Sequence, residues 1–425
     1  MKLLRKDNIS ITLQFSIAAT LTGILAAGYA KLFHIIEIYS GQIFKANPYV
    51  FLLLSPLTFL LGWFIVKCLA PEASGSGIPQ VMAANCLSEE NAHNHIKRLL
   101  GIKTLIVKII SSVLCLLGGG AIGREGPTVQ ISTSIFYLTS RIFKKRYFCL
   151  SHHSMITAGG AAGIAAAFNT PLGGIVYAIE ELSTTKFNEF KTVLIYAVVV
   201  SGLVAQLISG TYLYLGFPQV GIFSYSMIPL VILVGGCSGF MGGIFSKLLI
   251  LIVDYKARTK SMFKLSLWAM GTGLILAILA IFFSEVSLGS GKEVFTSILF
   301  RSDVSTDWKW VLARMLSTMV SYLSGCAGGI FAPSLAIGAT IGAQISNIFD
   351  LENYKLFTLL GMIGFLTGVT KAPFTSFVLV LEMTDRHSAI LPMMLAAVCA
   401  YLASKLVMGH SFYEVMKLNW LLTDL

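Results

Sequence analysis

The sequence predicts an all-α polytopic membrane protein, and three observations carry that prediction. Hydrophobic residues make up 56% of the 425 and charged residues only 12%, about half the charged share of a soluble protein. The apolar residues fall in runs such as 50–70 (VFLLLSPLTFLLGWFIVKCLA) and 192–216, which hold few or no charges. Roughly ten such regions are long enough to span a hydrocarbon core, several of them too long or too interrupted to be one clean helix. Together they leave little room for a soluble domain, and glycine and proline interrupt them at matching places in two halves of the chain.

The chain opens MKLLRKDNISITLQFSIAATLTGILAAGYA, with the basic start, apolar run and small residues of a signal peptide. Further apolar runs follow at once, so it is read as an uncleaved first helix. The net charge is +11, but the basic residues cluster in short loops: Lys2, Arg5 and Lys6; Lys97 and Arg98; Arg141, Lys144, Lys145 and Arg146; Lys256, Arg258 and Lys260. No aromatic-interleaved basic domain accompanies them, so no nucleic acid is expected as partner. Loops of this kind set topology and favour a cytoplasmic N-terminus. Cys68, Cys86, Cys115, Cys149, Cys237, Cys326 and Cys399 lie singly, mostly in apolar runs, and read as small packing residues with no disulfide framework or metal spacing. His93, His95, His152 and His153 fall in expected loops without Cys or carboxylate partners, so no metal is expected.

Three breaks along the chain share one grammar: GSGIP (75–79), GREGP (123–127) and GIFAP (329–333). Each has Gly, then a chosen side chain, then Pro at or near the first turn of an apolar helix. Pro is tolerated there because that turn's N–H groups have no intrahelical partner. Gly allows a close approach of backbone to a ligand. The loops Gly75, Ser76, Gly77, Ile78, Pro79; Gly123, Arg124, Glu125, Gly126, Pro127; and Gly329, Ile330, Phe331, Ala332, Pro333 therefore present N–H donors at the positive end of a helix dipole. Inside a membrane such donors are tolerated only when buried in protein or lining a cavity. Converging, they make a dehydrated anion site without a fixed charge that would bind too tightly for passage; taken singly, each is an ordinary packed helix break.

The side chains at the breaks refine this picture. Ser76 offers a hydroxyl to an anion, to its own helix as a cap, or to both. Glu125 is a carboxylate where an anion would otherwise sit: ionised it mimics the anion, protonated it can leave. Adjacent helix residues point differently, which argues against a salt bridge from Glu125 to Arg124. Lys108, within LIVKIISSVLCLL, is an intramembrane cation, either a structural partner or a source of potential for anions. Glu180 and Glu181 have no basic neighbour until Lys186; they mark an ion or proton path, or they end a helix facing water. LGSGKE (288–293) lacks the first Gly of a phosphate loop and has Glu293 where Ser or Thr would bind Mg²⁺, so no nucleotide is expected. No catalytic triad or HExxH occurs, so no enzyme activity is expected. Tyr413, in GHSFYEVM, is a possible hydroxyl donor that sequence alone reads as an interfacial aromatic.

A weak internal repeat links the breaks. AIGREGPTVQI (121–131) aligns with AGGIFAPSLAI (327–337), and NTPLGGIVYAIEEL (169–182) with KAPFTSFVLVLEMT (371–384), at offsets of 206 and 202. Glu180 pairs with Glu382 and Gly123 with Gly329. Two such halves point to a secondary transporter with its site near the midplane, where broken helices meet.

GSGIP, GREGP, GIFAP and a late Tyr, in this order, resemble the CLC chloride channel and transporter family, over about residues 15 to 420 and including AAAFNTPLGGIVYAIEEL and LVLEMTD. The resemblance implies a CLC fold: a homodimer with one pore per subunit, each subunit a single transport domain of two inverted halves, about 15–210 and about 225–420, of tilted and broken helices. It implies chloride ligands in the hydroxyls of Ser76 and Tyr413 and the N–H groups of Ile330 and Phe331. Glu125 resembles the gating glutamate, Glu181 the internal proton-transfer glutamate and Glu180 a neighbour that helps protons reach it; Lys108 falls at a basic position of bacterial transporters. Ala327 departs from the Pro that relatives often carry there, without touching the ligand N–H groups. The resemblance further implies a chloride/proton antiporter of the bacterial inner membrane with cytoplasmic termini, no cofactor beyond chloride as substrate, and no CBS domains after Tyr413. The alternatives are a passive chloride channel, against which Glu181 argues, or a carrier of fluoride or nitrate, against which Ser76 and the intact motifs argue.

Overall fold

The computed structural model describes residues 2–87, 93–144, 152–182, 187–210, 214–221, 223–300, 306–351 and 353–421. Lys145, Arg146, Cys149 and Lys186, and the side chains of Lys2, Arg5, Lys6 and Lys144, lie outside the described residues. In the first half of the chain α1 (Lys2–Ala46) is followed by α2 (Phe51–Leu69), α3 (Ile78–Cys86), α4 (His93–Leu100), α5 (Ile102–Leu117), α6 (Glu125–Lys144), α7 (His152–Phe168), α8 (Pro171–Tyr177) and α9 (Phe187–Ser209). The second half holds α10 (Ile228–Ala257), α11 (Met262–Phe283), α12 (Lys292–Phe300), α13 (Trp308–Leu323), α14 (Phe331–Ile348), α15 (Tyr354–Thr370), α16 (Pro373–Thr384), α17 (Ile390–Lys405) and α18 (Phe412–Leu421). His93, His152 and His153 open helices, where the sequence expects loops.

Among the described residues seven spans are long and apolar enough to cross a membrane, fewer than the roughly ten apolar regions suggest. The difference is physical. Helices such as α3, α8 and α16 are cut short by the Gly and Pro breaks, and α6 carries a polar run (PTVQISTS) that only protein can bury. At 45 residues, α1 is roughly 68 Å long and exceeds a hydrocarbon core of about 30 Å; its apolar span is Thr12–Ala46. Large apolar side chains left exposed, such as Leu53, Leu207 and Phe282, suit lipid. Repeat-related pairs, α6 with α7 and α14 with α15, pack through small residues. A Cβ at Gly159 of α7 would stand 2.7 Å from Thr133 Cα, and its repeat counterpart Gly361 of α15 lies against Gly338 and Gly342 of α14. This is how helices associate where lipid removes the hydrophobic drive between them.

The two halves are related as the repeat predicts. Helices α5 and α13, like α6 and α14, begin 206 residues apart; α7 and α15, like α8 and α16, begin 202 apart. The contacts between halves are reciprocal, as about a two-fold axis. Gly123 N donates to Gly329 O at 2.7 Å and Gly329 N to Gly123 O at 2.8 Å. Glu382 accepts from the N–H groups of Leu172 and Gly173 at 3.1 and 2.8 Å, and Glu180 accepts from those of Phe374 and Thr375 at 3.1 and 2.6 Å. Each half's glutamate therefore caps the first turn of the other half's helix, α8 or α16.

This geometry adds a structural role for Glu180. Both of its oxygens accept from the N-terminus of α16, where it acts as a cap. Charge-assisted bonds at a helix N-terminus are worth about 1–2 kcal/mol. Glu180→Gln and Glu382→Gln are expected to lower the apparent melting temperature by similar amounts, since the contacts are equivalent. The check is thermal unfolding of the purified variants, and a loss confined to one of them would contradict the reciprocal cap.

Candidate functional site

The site begins at the three breaks, which the fold brings to one place. Segment 326–329 stands at the centre. Gly75 N donates to Cys326 O and Gly328 N to Gly75 O, both at 2.9 Å, while Gly329 pairs with Gly123. Side chains hold this arrangement from behind: Ala327 N donates to Ser111 Oγ at 3.0 Å and Ala121 N to Ser321 Oγ at 2.9 Å. Helices α3, α6 and α14 thus start from one stitched core, as the anion-site reading requires.

The carbonyls that lead into the first break are held by buried side-chain donors. Gln80 Nε2 donates to Glu72 O and Ser74 O at 3.1 and 2.7 Å, and Gln130 Nε2 also donates to Glu72 O at 3.1 Å. Lys108 is fully buried, and its Nζ donates to Ala73 O and Gly75 O at 2.9 Å each. Lys108 is therefore a structural partner: it satisfies carbonyls that would otherwise repel an anion. Arg314, its repeat counterpart in α13, does the same for a second loop, donating to Val286 O, Leu288 O and Gly289 O at 2.9–3.2 Å.

Buried polar groups without partners face the centre. Ser76, Glu125 and Tyr413 are each 1% exposed, yet the hydroxyls Ser76 Oγ and Tyr413 OH and the acceptor Glu125 Oε2 make no hydrogen bond among the described residues. Among the described residues no acceptor meets the N–H groups of Ile330, where α14 is capped, or of Phe331, its first residue. A buried polar group left unpaired costs about 1–3 kcal/mol, so a cluster of them marks a place built for a ligand. Hydroxyl and amide donors of this kind suit an anion. Tyr413 reaches the cluster because a capping box, Ser411 N to Glu414 Oε2 and Glu414 N to Ser411 Oγ at 3.0 Å each, starts α18 beside it. The hydroxyl lies within electrostatic range of both Glu125 and Glu181.

Glu125 opens α6, and its carboxylate lies toward the N–H groups of Glu125 itself and Ala332. Tyr214, which sequence reasoning missed, donates its OH to Glu125 Oε1 at 3.5 Å. Its ring stacks edge-on against Phe168, which packs on Phe331. Tyr214 lies in the connection between the halves, where only a late return of the chain places it. Arg124 turns away from Glu125, donating Nη1 to Ala30 O at 2.9 Å and lying over the Tyr214 ring. Glu181 sits elsewhere, in a π-helical turn, Ala178–Leu182, that continues α8; Asn85 Nδ2 holds that turn by donating to Leu182 O at 2.7 Å. Single π turns recur at functional sites, and this one sends adjacent glutamates to different tasks. Glu180 caps α16, while Glu181 makes no hydrogen bond or ion pair among the described residues.

Gly77 shows how tightly the breaks are fitted. Its φ is +101°, and a Cβ there would stand 2.9 Å from Gln130 Cβ and 3.0 Å from Gly126 O. Both contacts belong to the first turns of α6 and cannot yield without moving it. Gly77→Ala is expected to cut anion flux per reconstituted protein by more than about tenfold, combining backbone strain with displacement of α3. Gly28→Ala, where no atom lies within 4 Å, is the control expected to leave flux unchanged.

Comparison with known proteins identifies the family and the fold. The chain is 29% identical to an H(+)/Cl(-) exchange transporter ClcA of Citrobacter koseri, covering 98% of this chain and 90% of the relative. It is 28% identical to the protein of that name from Salmonella agona, with the same coverage. Among solved structures it superposes on a slow cyanobacterial Cl-/H+ antiporter with a TM-score of 0.82 at 24% identity, covering 97% of this chain and 98% of the other. A CLC-type fluoride/proton antiporter superposes with a TM-score of 0.76 at 20% identity, over 95% and 97%. The family model of the voltage gated chloride channels matches residues 57–405, a stretch that takes in all three stitched breaks and both glutamates, and the chain is a member of that family of membrane transport proteins.

Proposed function

We propose that the protein exchanges chloride for protons across a membrane. The observation that carries this reading is the set of unpartnered buried groups, Ser76 Oγ, Tyr413 OH and Glu125 Oε2, around three stitched helix starts. Chloride binds between Ser76, Tyr413 and the N–H groups of Ile330 and Phe331. Ionised Glu125 competes for the neighbouring position at the starts of α6 and α14; protonated, it withdraws and the anion advances. Protons continue through Glu181 to the opposite face, which the reading assigns to the cytoplasm together with both termini. The names of the exchange transporters that the chain resembles support the choice of ions. The resemblance also supports a homodimer with one pathway per subunit.

The test is coupled flux in liposomes holding the purified protein. A chloride gradient should drive protons against their own gradient. Chloride movement without coupled proton movement would leave a passive channel on the same scaffold, and a preference for fluoride well above chloride would contradict the role given to Ser76.

A further inference from the structure

The loop LGSGKE has a structural counterpart in GSGIP. Gly289-Ser290-Gly291 stands 214 residues after Gly75-Ser76-Gly77 and repeats its backbone, with φ of +64° and +86° at the glycines against +60° and +101°. Each loop leads into a nine-residue helix, α12 or α3. Each has its carbonyls held from behind by a repeat-related buried cation, Arg314 or Lys108. The difference lies in front. Ser76 Oγ has no hydrogen-bond partner among the described residues, whereas Ser290 N and Ser290 Oγ both donate to Glu37 Oε1, at 2.6 and 2.7 Å.

Glu37 comes from α1, one face of which carries Lys31, His34 and Glu37 into a cavity of about 190 Å³. The opposite wall of that cavity holds Arg124, Tyr214 and Lys292, and Glu125 lines it too. Lys292 makes no ion pair among the described residues; its Nζ lies 4.3 Å from the centre of the Tyr214 ring. Lys31, Arg124 and Lys292 outnumber Glu37 and Glu125, so the cavity favours anions. Glu125 Oε2, buried and unpartnered, belongs to the same space.

We propose that the Ser290 loop is a second anion site, in the mouth leading to Glu125, where the Glu37 carboxylate competes with incoming chloride. Glu37 stands to Ser290 as a tethered anion stands to its site, in series with Glu125. The choice of chloride rests on the exchange function proposed above, and the experiment separates the two. Crystals of the full-length Glu37→Ala variant grown in bromide are expected to give an anomalous peak within hydrogen-bond reach of Ser290 N and Oγ, and a second beside Ser76 and Tyr413. A peak beside Ser76 with none at Ser290 overturns this inference and leaves the exchange reading standing. A peak at Ser290 with none beside Ser76 does the reverse.

Glu37→Gln keeps an oxygen acceptor for Ser290 and guards against loss of folding. In liposomes it is expected to lower the chloride concentration for half-maximal flux by about tenfold at the Glu125 mouth only, as a competitor held by charge-assisted bonds is weakened. No change there, or an equal change at both mouths, would refute a vestibular site.

Discussion

Glu125→Ala is expected to abolish proton coupling while chloride still crosses. The carboxylate is the one group at the stitched centre that can both occupy an anion position and carry a proton. It opens α6 and lies toward the N–H groups of Glu125 and Ala332, and its Oε1 accepts from Tyr214 OH. Removing it leaves the donors around Ser76 and Tyr413 in place, because the backbone bridges Gly75–Ala327 and Gly123–Gly329 do not depend on its side chain. Chloride flux in liposomes should therefore remain of the same order as in the parent, lose its acid activation at the Glu125 mouth, and drive no uphill proton movement. Proton transport that survives the change would remove Glu125 from the gate.

Glu181→Gln is expected to abolish proton movement by a different route. Glu181 sits on the π turn and makes no hydrogen bond or ion pair among the described residues, so the amide should leave chloride binding intact while ending proton transfer. The distinguishing measurement is the pH dependence of chloride flux. With Glu125 still present, acid should continue to accelerate chloride in this variant, in contrast to Glu125→Ala. A variant that kept coupled proton flux would show that protons bypass Glu181. An acidic residue in a membrane segment costs about 2.5–3.5 kcal/mol at the centre. Glu180 meets that cost with two hydrogen bonds to α16; nothing comparable in the described residues accounts for Glu181.

The adjacent glutamates show where reading a sequence stops. EEL gives two acids at one helix end, and the repeat pairs Glu180 with Glu382. That each caps the other half's helix follows only once α8 and α16 meet across the axis. LGSGKE is a similar case: its mismatch to a phosphate loop is legible, and its GSG occurs also at 75–77. Its kinship with that break becomes apparent when the glycine φ angles and the cations behind the two loops are compared. Tyr214 and Glu37 carry no local signal, because an isolated Tyr in a connection and a Glu in a long helix look like countless others. Arg124, placed beside Glu125 by sequence, turns out to face the mouth and the backbone of α1.

By itself the sequence determined the membrane class, the helix breaks, the repeat and the residues Ser76, Glu125 and Glu181 as candidates. These follow from rules that act over a few residues: transfer of apolar runs into lipid, the dihedral freedom of Gly, the missing N–H of Pro and the expense of a charge in hydrocarbon. The tertiary structure alone decided that the three breaks are sewn into one centre, that Tyr413 reaches it from 337 positions beyond Ser76, and that Lys108 and Arg314 face backbone carbonyls. Those pairings join residues from distant parts of the chain, and they exist because two similar halves pack about a shared axis and must satisfy each other's buried backbone groups where water cannot.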